Sequence, residues 1–284
     1  MDLKSLADVE LRDATFPLSR SAPSNFLPAL RTPVILRELV ALGVLDPGLS
    51  KVIVQNGRVV GCCLVEVGAQ GAYISGLGTD ALSQQRGGSR ALIEAVIAAG
   101  KQAQLCRLSV EVSEADAGPQ GLWQAVGFVP LRTRLRMALL GTPNRALLPD
   151  PDDRACMAAT RISAVPCGDA LGFLQHHGPS QLGAAVSPAV LGKLEKRLSA
   201  AAMLVGSAIE AVVIVDKERK LLVALAGDPA YLPQLAVYAA ARLSAAYVDS
   251  LADDDPAVEA LESAGFSRIA VRTELSLSLP NASA

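Results

Sequence analysis

The chain has 284 residues, of which 51% are hydrophobic and 19% charged, with a positive mean hydropathy and a formal net charge of −2. That length suits two cores better than one, and the composition supplies ample apolar surface and excludes extended disorder. Lys and Arg are dispersed, so there is no basic face for a phosphate backbone and nucleic acid is excluded as an expected partner.

The N-terminus, MDLKSLADVELRD, has neither the basic start nor the apolar core of a secretory signal, so a cytoplasmic location is expected. DVELRDAT (8–15) alternates Val9, Leu11 and Ala14 loosely and reads as a strand, followed by an irregular helical region through FLPALRTPVILRELVALGVL. KVIVQNGRVVGCCLVEV holds two β-branched runs around Asn56-Gly57, a dipeptide suited to the left-handed turn of a hairpin. In the next predicted strand, AYISGLGT (72–79), Gly76 and Gly78 mark a bulge or a close approach to backbone.

A loop, QQRGGSR from Gln84, then leads into a helix running to about Ala99, with Leu92, Val96 and Ala99 on one face and Gly100 as its expected stop. LCRLSVEVS places Leu108, Val110 and Val112 on one side and Arg107, Ser109 and Glu111 on the other, the pattern of a strand. GPQGLWQAV, with Pro119 near its start, reads as a short helix, and GFVPLRTRLRMALL as a last pair of strands. The Pro- and Asp-rich stretch that follows, 141–158, reads as a linker between domains 1–140 and 159–284.

The second half repeats the first. ALESAGFSRIAVRTELSLSL overlays LWQAVGFVPLRTRLRMALL at a constant offset of 138 residues, with Gly127 and Phe128 matching Gly265 and Phe266, and Met137 matching Leu275. Upstream the order of elements agrees as well: ATRISAV, two helical stretches, AMLVGSAIEAVVIVD, KLLVALAGD, LPQLAVYAAARL and AAYVDSL. The apolar run from Ser199 is broken by Gly206, Ser207 and Glu210 and is shorter than the roughly 20 residues of a membrane span, so it reads as paired strands and no membrane partner is expected.

Several chemistries are disfavoured. The two histidines, His176 and His177, are adjacent and point in different directions, so they read as a helix end before Gly178, and no metal is expected. Five scattered cysteines form no CxxC pair or even framework and read as reduced, buried thiols; Cys106 has no histidine in its half to activate it and reads as core packing. Asp249 and the DDDP cluster at 253–256 read as a solvated loop and helix start.

The loop at 84–90 is the one stretch with a ligand chemistry of its own. Gly87 and Gly88 at a helix entry let backbone amides approach an anion, with Arg86 and Arg90 beside them to add charge-assisted contacts. Strand with internal glycines, QxxGx(G/A)-like turn, helix, alternating strand, short helix and GF before the final strands together resemble the GNAT superfamily of acyl-CoA-dependent N-acyltransferases. The resemblance covers residues 5–140 well and the second half in architecture alone.

It implies an α/β (α+β) fold of two tandem GNAT-like domains, each a mixed, mostly antiparallel sheet flanked by helices. It also implies acetyl-CoA or another acyl-CoA as cosubstrate and a small-molecule or peptide amine as acceptor, attacked directly. On this resemblance Gln84, Gln85, Arg86, Gly87, Gly88, Ser89 and Arg90 grip the pyrophosphate, Gln84 holding the first motif position and Ser89 the usual Gly or Ala. Leu77, Gly78 and Thr79 face the acyl group, their amides meeting the developing oxyanion. Glu111 is the candidate general base, with Glu66 or a water chain as alternatives.

Two departures stand out: Trp123 occupies the place where the family often has a Tyr acid, and an indole cannot protonate a thiolate; and Ser89 is slightly larger than the usual Gly or Ala, a milder change because its hydroxyl can hydrogen-bond a phosphate. In the second half the corresponding turn, GDPAYLPQL, puts Asp228 where phosphate would sit and Pro233 where an N–H is needed, so that copy is expected to be degenerate. The competing function is a non-catalytic acyl-CoA-binding or protein-interaction module, and the strand edges usual in such folds leave a homodimer open.

Overall fold

The computed structural model describes residues 2–20, 32–68, 71–113, 117–148, 160–177 and 188–279. The chain packs as two compact units, Met1–Arg132 with Arg272–Ala284, and Thr133–Val271.

In the first unit the sheet runs in the order β1 (Asp2–Ser5), β2 (Lys51–Gln55), β3 (Arg58–Gly68), β4 (Gly71–Thr79), β5 (Arg107–Ser113) and the C-terminal part of β12 (Phe266–Ser278). Every pairing in it is antiparallel except β4 with β5. The β2–β3 hairpin turns at Asn56 and Gly57, with φ of 51° and 72°, the doubly left-handed geometry that this dipeptide favours. Two helices then cover opposite faces. Helix α4 (Gly88–Gln102) buries Leu92, Ile93 and Val96 against Cys63, Val65, Ile74, Val110 and Val112. Helix α1 (Leu11–Arg20) meets the other face, where Leu18 lies beside Leu64 and Gly76.

Three expectations are corrected. Residues 11–20 form helix α1 rather than a strand at 8–15, because Ala14 and Leu18, four apart and both buried, make one helical stripe. The N-terminal strand is instead Asp2–Ser5, an exposed edge with no apolar alternation to signal it. Gly100 does not end α4, which continues to Gln102; a Cβ at Gly100 would lie 3.0 Å from Leu279 Cδ1, so this glycine makes room for packing. Finally, GFVPLRTRLRMALL forms one long strand, β6 (Val129–Leu139), not two. β6 passes into the second unit at Thr133, and its counterpart β12 passes into the first at Arg272, where it pairs with β5 over Arg272–Ser278. The strand that completes each sheet is therefore contributed by the other repeat.

The second unit orders its strands as β6, β11 (Tyr247–Ala252), β10 (Leu221–Gly227), β9 (Ala208–Asp216), β8 (Leu198–Val205) and β7 (Thr160–Val165). Its core joins α6 (Cys167–His177), α8 (Leu232–Arg242) and α9 (Ala257–Ser263) to the sheet. The segment expected as a linker is described as far as Leu148, and it docks within this unit: Asn144 N donates to Ala264 O and Asn144 Nδ2 to Ser263 O. The rest of it, like Gly178, lies outside the described residues. Asp249 sits on β11 opposite Arg136 at 3.6 Å rather than in a loop, while Asp255 accepts from Ala257 N at the start of α9.

The repeat is visible in geometry as well as order. Parallel pairing of β4 with β5 stops at Ile74–Val110, and that of β10 with β11 stops at Leu222–Val248. Gly127 and Gly265 share left-handed φ values of 98° and 102°, each placing the following phenylalanine in a core. No helix among the described residues is long and apolar enough to cross a membrane.

Candidate functional site

The first unit opens where β4 leaves β5. Their ladder holds Ala72–Leu108, Tyr73–Ser109 and Ile74–Val110 and then ends, while β5 runs on to Ser113 with β12 as its partner. At that point β4 also carries a bulge: Val65 pairs with Ile74 but Leu64 with Gly76, so Ser75 is the extra residue. From Ser75 to Thr79, β4 keeps β3 on one side and has no strand partner on the other among the described residues.

The direction of its amides follows from the pleat. Asp80 N donates to Val60 O across β3, and donors alternate along an antiparallel strand, so the Gly78 N–H also faces β3. The N–H groups of Leu77 and Thr79 therefore point away from β3, into the split. They are the two strand amides available to a ligand there.

Beyond the strand the chain makes two short steps. Asp80 caps α3 (Ala81–Gln85), its Oδ1 accepting from Ser83 N at 2.7 Å. Gly87, with φ of 77°, then turns the chain into α4. A Cβ at Gly87 would meet nothing within 4 Å, whereas one at Gly88 would lie 2.8 Å from Ser83 O. Gly87 is thus the conformational requirement and Gly88 the packing one.

This arrangement decides which amides can bind an anion. Gln84 N, Arg86 N and Gly87 N are used inside the α3 turn, bonding Asp80 O, Leu82 O with Ser83 O, and Gln84 O. The first bond of α4 is Ala91 N to Gly87 O. Gly88, Ser89 and Arg90 accordingly present the N–H groups that have no hydrogen-bond partner among the described residues, at the positive end of a 15-residue helix. Of the residues 84–90 expected to grip a pyrophosphate, Gly88, Ser89 and Arg90 are thus the ones whose amides stay unbonded.

Side chains around it are arranged as follows. Thr79 Oγ1 and Ser89 Oγ lie 3.0 Å apart, tying the end of the strand to the first turn of α4. Arg90 Nε is 2.8 Å from Glu94 Oε1, and Gln84, Gln85 and Arg86 are exposed at the rim.

Glu111 stands on β5 one residue past the last β4 pair, on the face opposite Val110 and Val112. It is only 4% exposed, and its Oε2 lies 3.2 Å from Arg272 Nη1 on β12. Glu274, paired in register with Glu111, is in turn 3.1 Å from Arg132 Nε. Glu66 lies two strands away on β3, opposite Tyr73 in the part of β4 that is still paired with β5. Trp123 is buried in the core, its ring packed edge-on against Phe128 at 5.2 Å.

Sequence reasoning missed Ser75, Arg272 and Glu274. A lone serine in a strand carries no signal, and the other two are brought in by a strand swap. The 138-residue repeat was the available hint, since it places Arg272 opposite Arg134. Cys106, expected in the core, is exposed because it precedes β5. Cys62 and Cys63 are buried in β3, and burial pushes both thiols up. Among the described residues no group of three or more His, Cys, Asp or Glu side chains is placed to hold a metal.

In the second unit the split recurs with its bulge at Val223, but the turn after β10 is different. A Cβ at Gly227 would meet Glu210 O at once, Asp228 Oδ1 occupies Ala230 N, and α8 begins Leu232-Pro233. There is no glycine entry, and a carboxylate sits at the turn.

Residues 13–128 match the model of the acetyltransferase (GNAT) family. No curated protein matches the sequence. Among solved structures, a tandem GNAT protein from the clavulanic acid biosynthesis pathway, solved without AcCoA, is similar over 99% of this chain and 100% of its own, with a TM-score of 0.68 at 15% identity. A putative acetyltransferase from Pyrococcus horikoshii is similar over 98% of this chain and 89% of its own (TM-score 0.67, 15% identity). A GCN5-related N-acetyltransferase from Sphaerobacter thermophilus is similar over 99% and 96% (TM-score 0.66, 11% identity). The chain has the GNAT-superfamily acetyltransferase fold, in a tandem arrangement of two GNAT-like units.

Proposed function

We propose that the first unit binds an acyl-CoA, with acetyl-CoA the expected form, and transfers the acyl group to an amine by direct attack. One observation carries this reading: the unbonded amides of Gly88, Ser89 and Arg90 adjoin the end of β4 that has lost its β5 partner, where Thr79 Oγ1 lies 3.0 Å from Ser89 Oγ. These amides suit a pyrophosphate, and those of Leu77 and Thr79 a thioester carbonyl.

In this reading the amine nitrogen bonds to the carbonyl carbon while the Leu77 or Thr79 amide holds the growing negative charge on oxygen. The carbon–sulfur bond then breaks, and the proton shed by the amine ends on the departing sulfur. Glu111 takes that proton first, directly or through water, while Arg272 fixes the carboxylate's position. Trp123 has no part in it. The second repeat supports the first unit by supplying the end of β12, and the second unit binds no coenzyme A of its own.

A non-catalytic acyl-CoA-binding module is the second reading, favoured by the engagement of Glu111 with Arg272. Calorimetry with coenzyme A tests the shared binding step. Thiol release from acetyl-CoA over a panel of small-molecule and peptide amines separates the two, because binding without turnover supports the module. A cytoplasmic setting and a possible homodimer go with either reading.

A further inference from the structure

We propose that the Ser75 hydroxyl is a hydrogen-bond donor to the carbonyl oxygen of the acyl group brought into the split. The inference rests on the acyl-CoA reading above and adds a side chain to the backbone amides that it names.

Ser75 is the residue inserted by the β4 bulge, the first one past the last pair with β5, and two residues before Leu77. It is 6% exposed, and its Oγ is fully buried with no hydrogen-bond partner among the described residues. A buried hydroxyl left unpaired is unfavourable, and native interiors rarely keep one without a use. The fold does not need it. The same bulge in the second unit, between Leu222 and Ala224, carries Val223, also buried. The unit that keeps the glycine turn at its helix entry thus has a hydroxyl at this point, and the unit that lost the turn has an isopropyl group.

The neighbours fit a reacting carbonyl. Ile74 faces the α4 core with Val65, whereas Gly76 faces Leu18 and Leu64, so the chain reverses its facing across Ser75. The residue of β5 next in register after Val110 is Glu111, the candidate base. A donor between that carboxylate and the Leu77 amide would strengthen its bond as negative charge grows on the oxygen.

The test uses the full chain and Ser75→Ala, with Ser75→Val copying the second unit. Thermal unfolding without ligand should show Ser75→Ala with an unchanged or raised midpoint, since no internal bond is lost. Calorimetry should show the wild type preferring acetyl-CoA over coenzyme A, and both variants losing about five-fold of that preference, the worth of one neutral hydrogen bond, while coenzyme A affinity is unchanged. Two results overturn the proposal alone: a preference that survives Ser75→Ala, or a lowered midpoint for Ser75→Ala, which reveals an internal partner. Absence of any binding by the wild type overturns the acyl-CoA reading along with it.

Discussion

Arg272 Nη1 stands 3.2 Å from Glu111 Oε2, joining residues 161 positions apart in the chain, both of them nearly excluded from solvent. The pair links the strand beside the candidate acyl site to the last strand of the protein. Removing one partner takes a charged contact away from the other, which stays buried. Arg272→Ala should therefore destabilise the first unit by about 3 kcal/mol or more, and the double variant Arg272→Met, Glu111→Gln by less than Arg272→Ala alone, as read from denaturant unfolding.

Glu111→Gln removes the carboxylate but keeps the shape. If Glu111 is the base, turnover falls by about a hundred-fold or more while coenzyme A affinity measured by calorimetry is unchanged. Equal turnover in the two proteins would assign the residue to structure alone.

Because β12 completes the first sheet, deletion of residues 272–284 should unfold the first unit rather than trim a tail. Leu275 and Leu279, buried in its core, go with the strand. Leu275→Ala is the milder form and should cost about 2–5 kcal/mol, measured by loss of denaturation midpoint.

Cys62 and Cys63 make a pH prediction. Burial raises both thiols above their ordinary value of 9.0, so the folded state retains protons that the unfolded state releases. Stability is then complete below pH 9 and falls above it, by up to about 1.4 kcal/mol per pH unit for each thiol. Urea midpoints between pH 8 and pH 10.5 check this, and Cys63→Ala should flatten the slope even as its cavity lowers the whole curve.

Much of the first unit was legible because its signals are local. Asn56-Gly57 specifies its turn by backbone sterics, Leu108, Val110 and Val112 show a period of two, and Gly87 must supply a left-handed φ. The elements that misled lacked such signals. Asp2–Ser5 is an exposed edge with nothing to bury, and Gly100, which reads as a stop, is a notch for Leu279. Which amides of the 84–90 turn stay unbonded was not legible, since spacing alone does not reveal that α3 uses the amides of Arg86 and Gly87. The partners of Glu111 were out of reach: Arg272 arrives by strand exchange, which leaves no mark on periodicity.

The central claim is that the first turn of α4 seats the diphosphate of coenzyme A. Isothermal calorimetry of coenzyme A against the wild type and Gly87→Asp measures it most directly, with Gly87→Asn carrying the same left-handed strain without the charge and expected to bind more tightly than Gly87→Asp. One site per chain in the wild type, with affinity reduced at least a hundred-fold in Gly87→Asp, is the expected result. Equal binding by the wild type and Gly87→Asp, two sites per chain, or no heat from the wild type would contradict it.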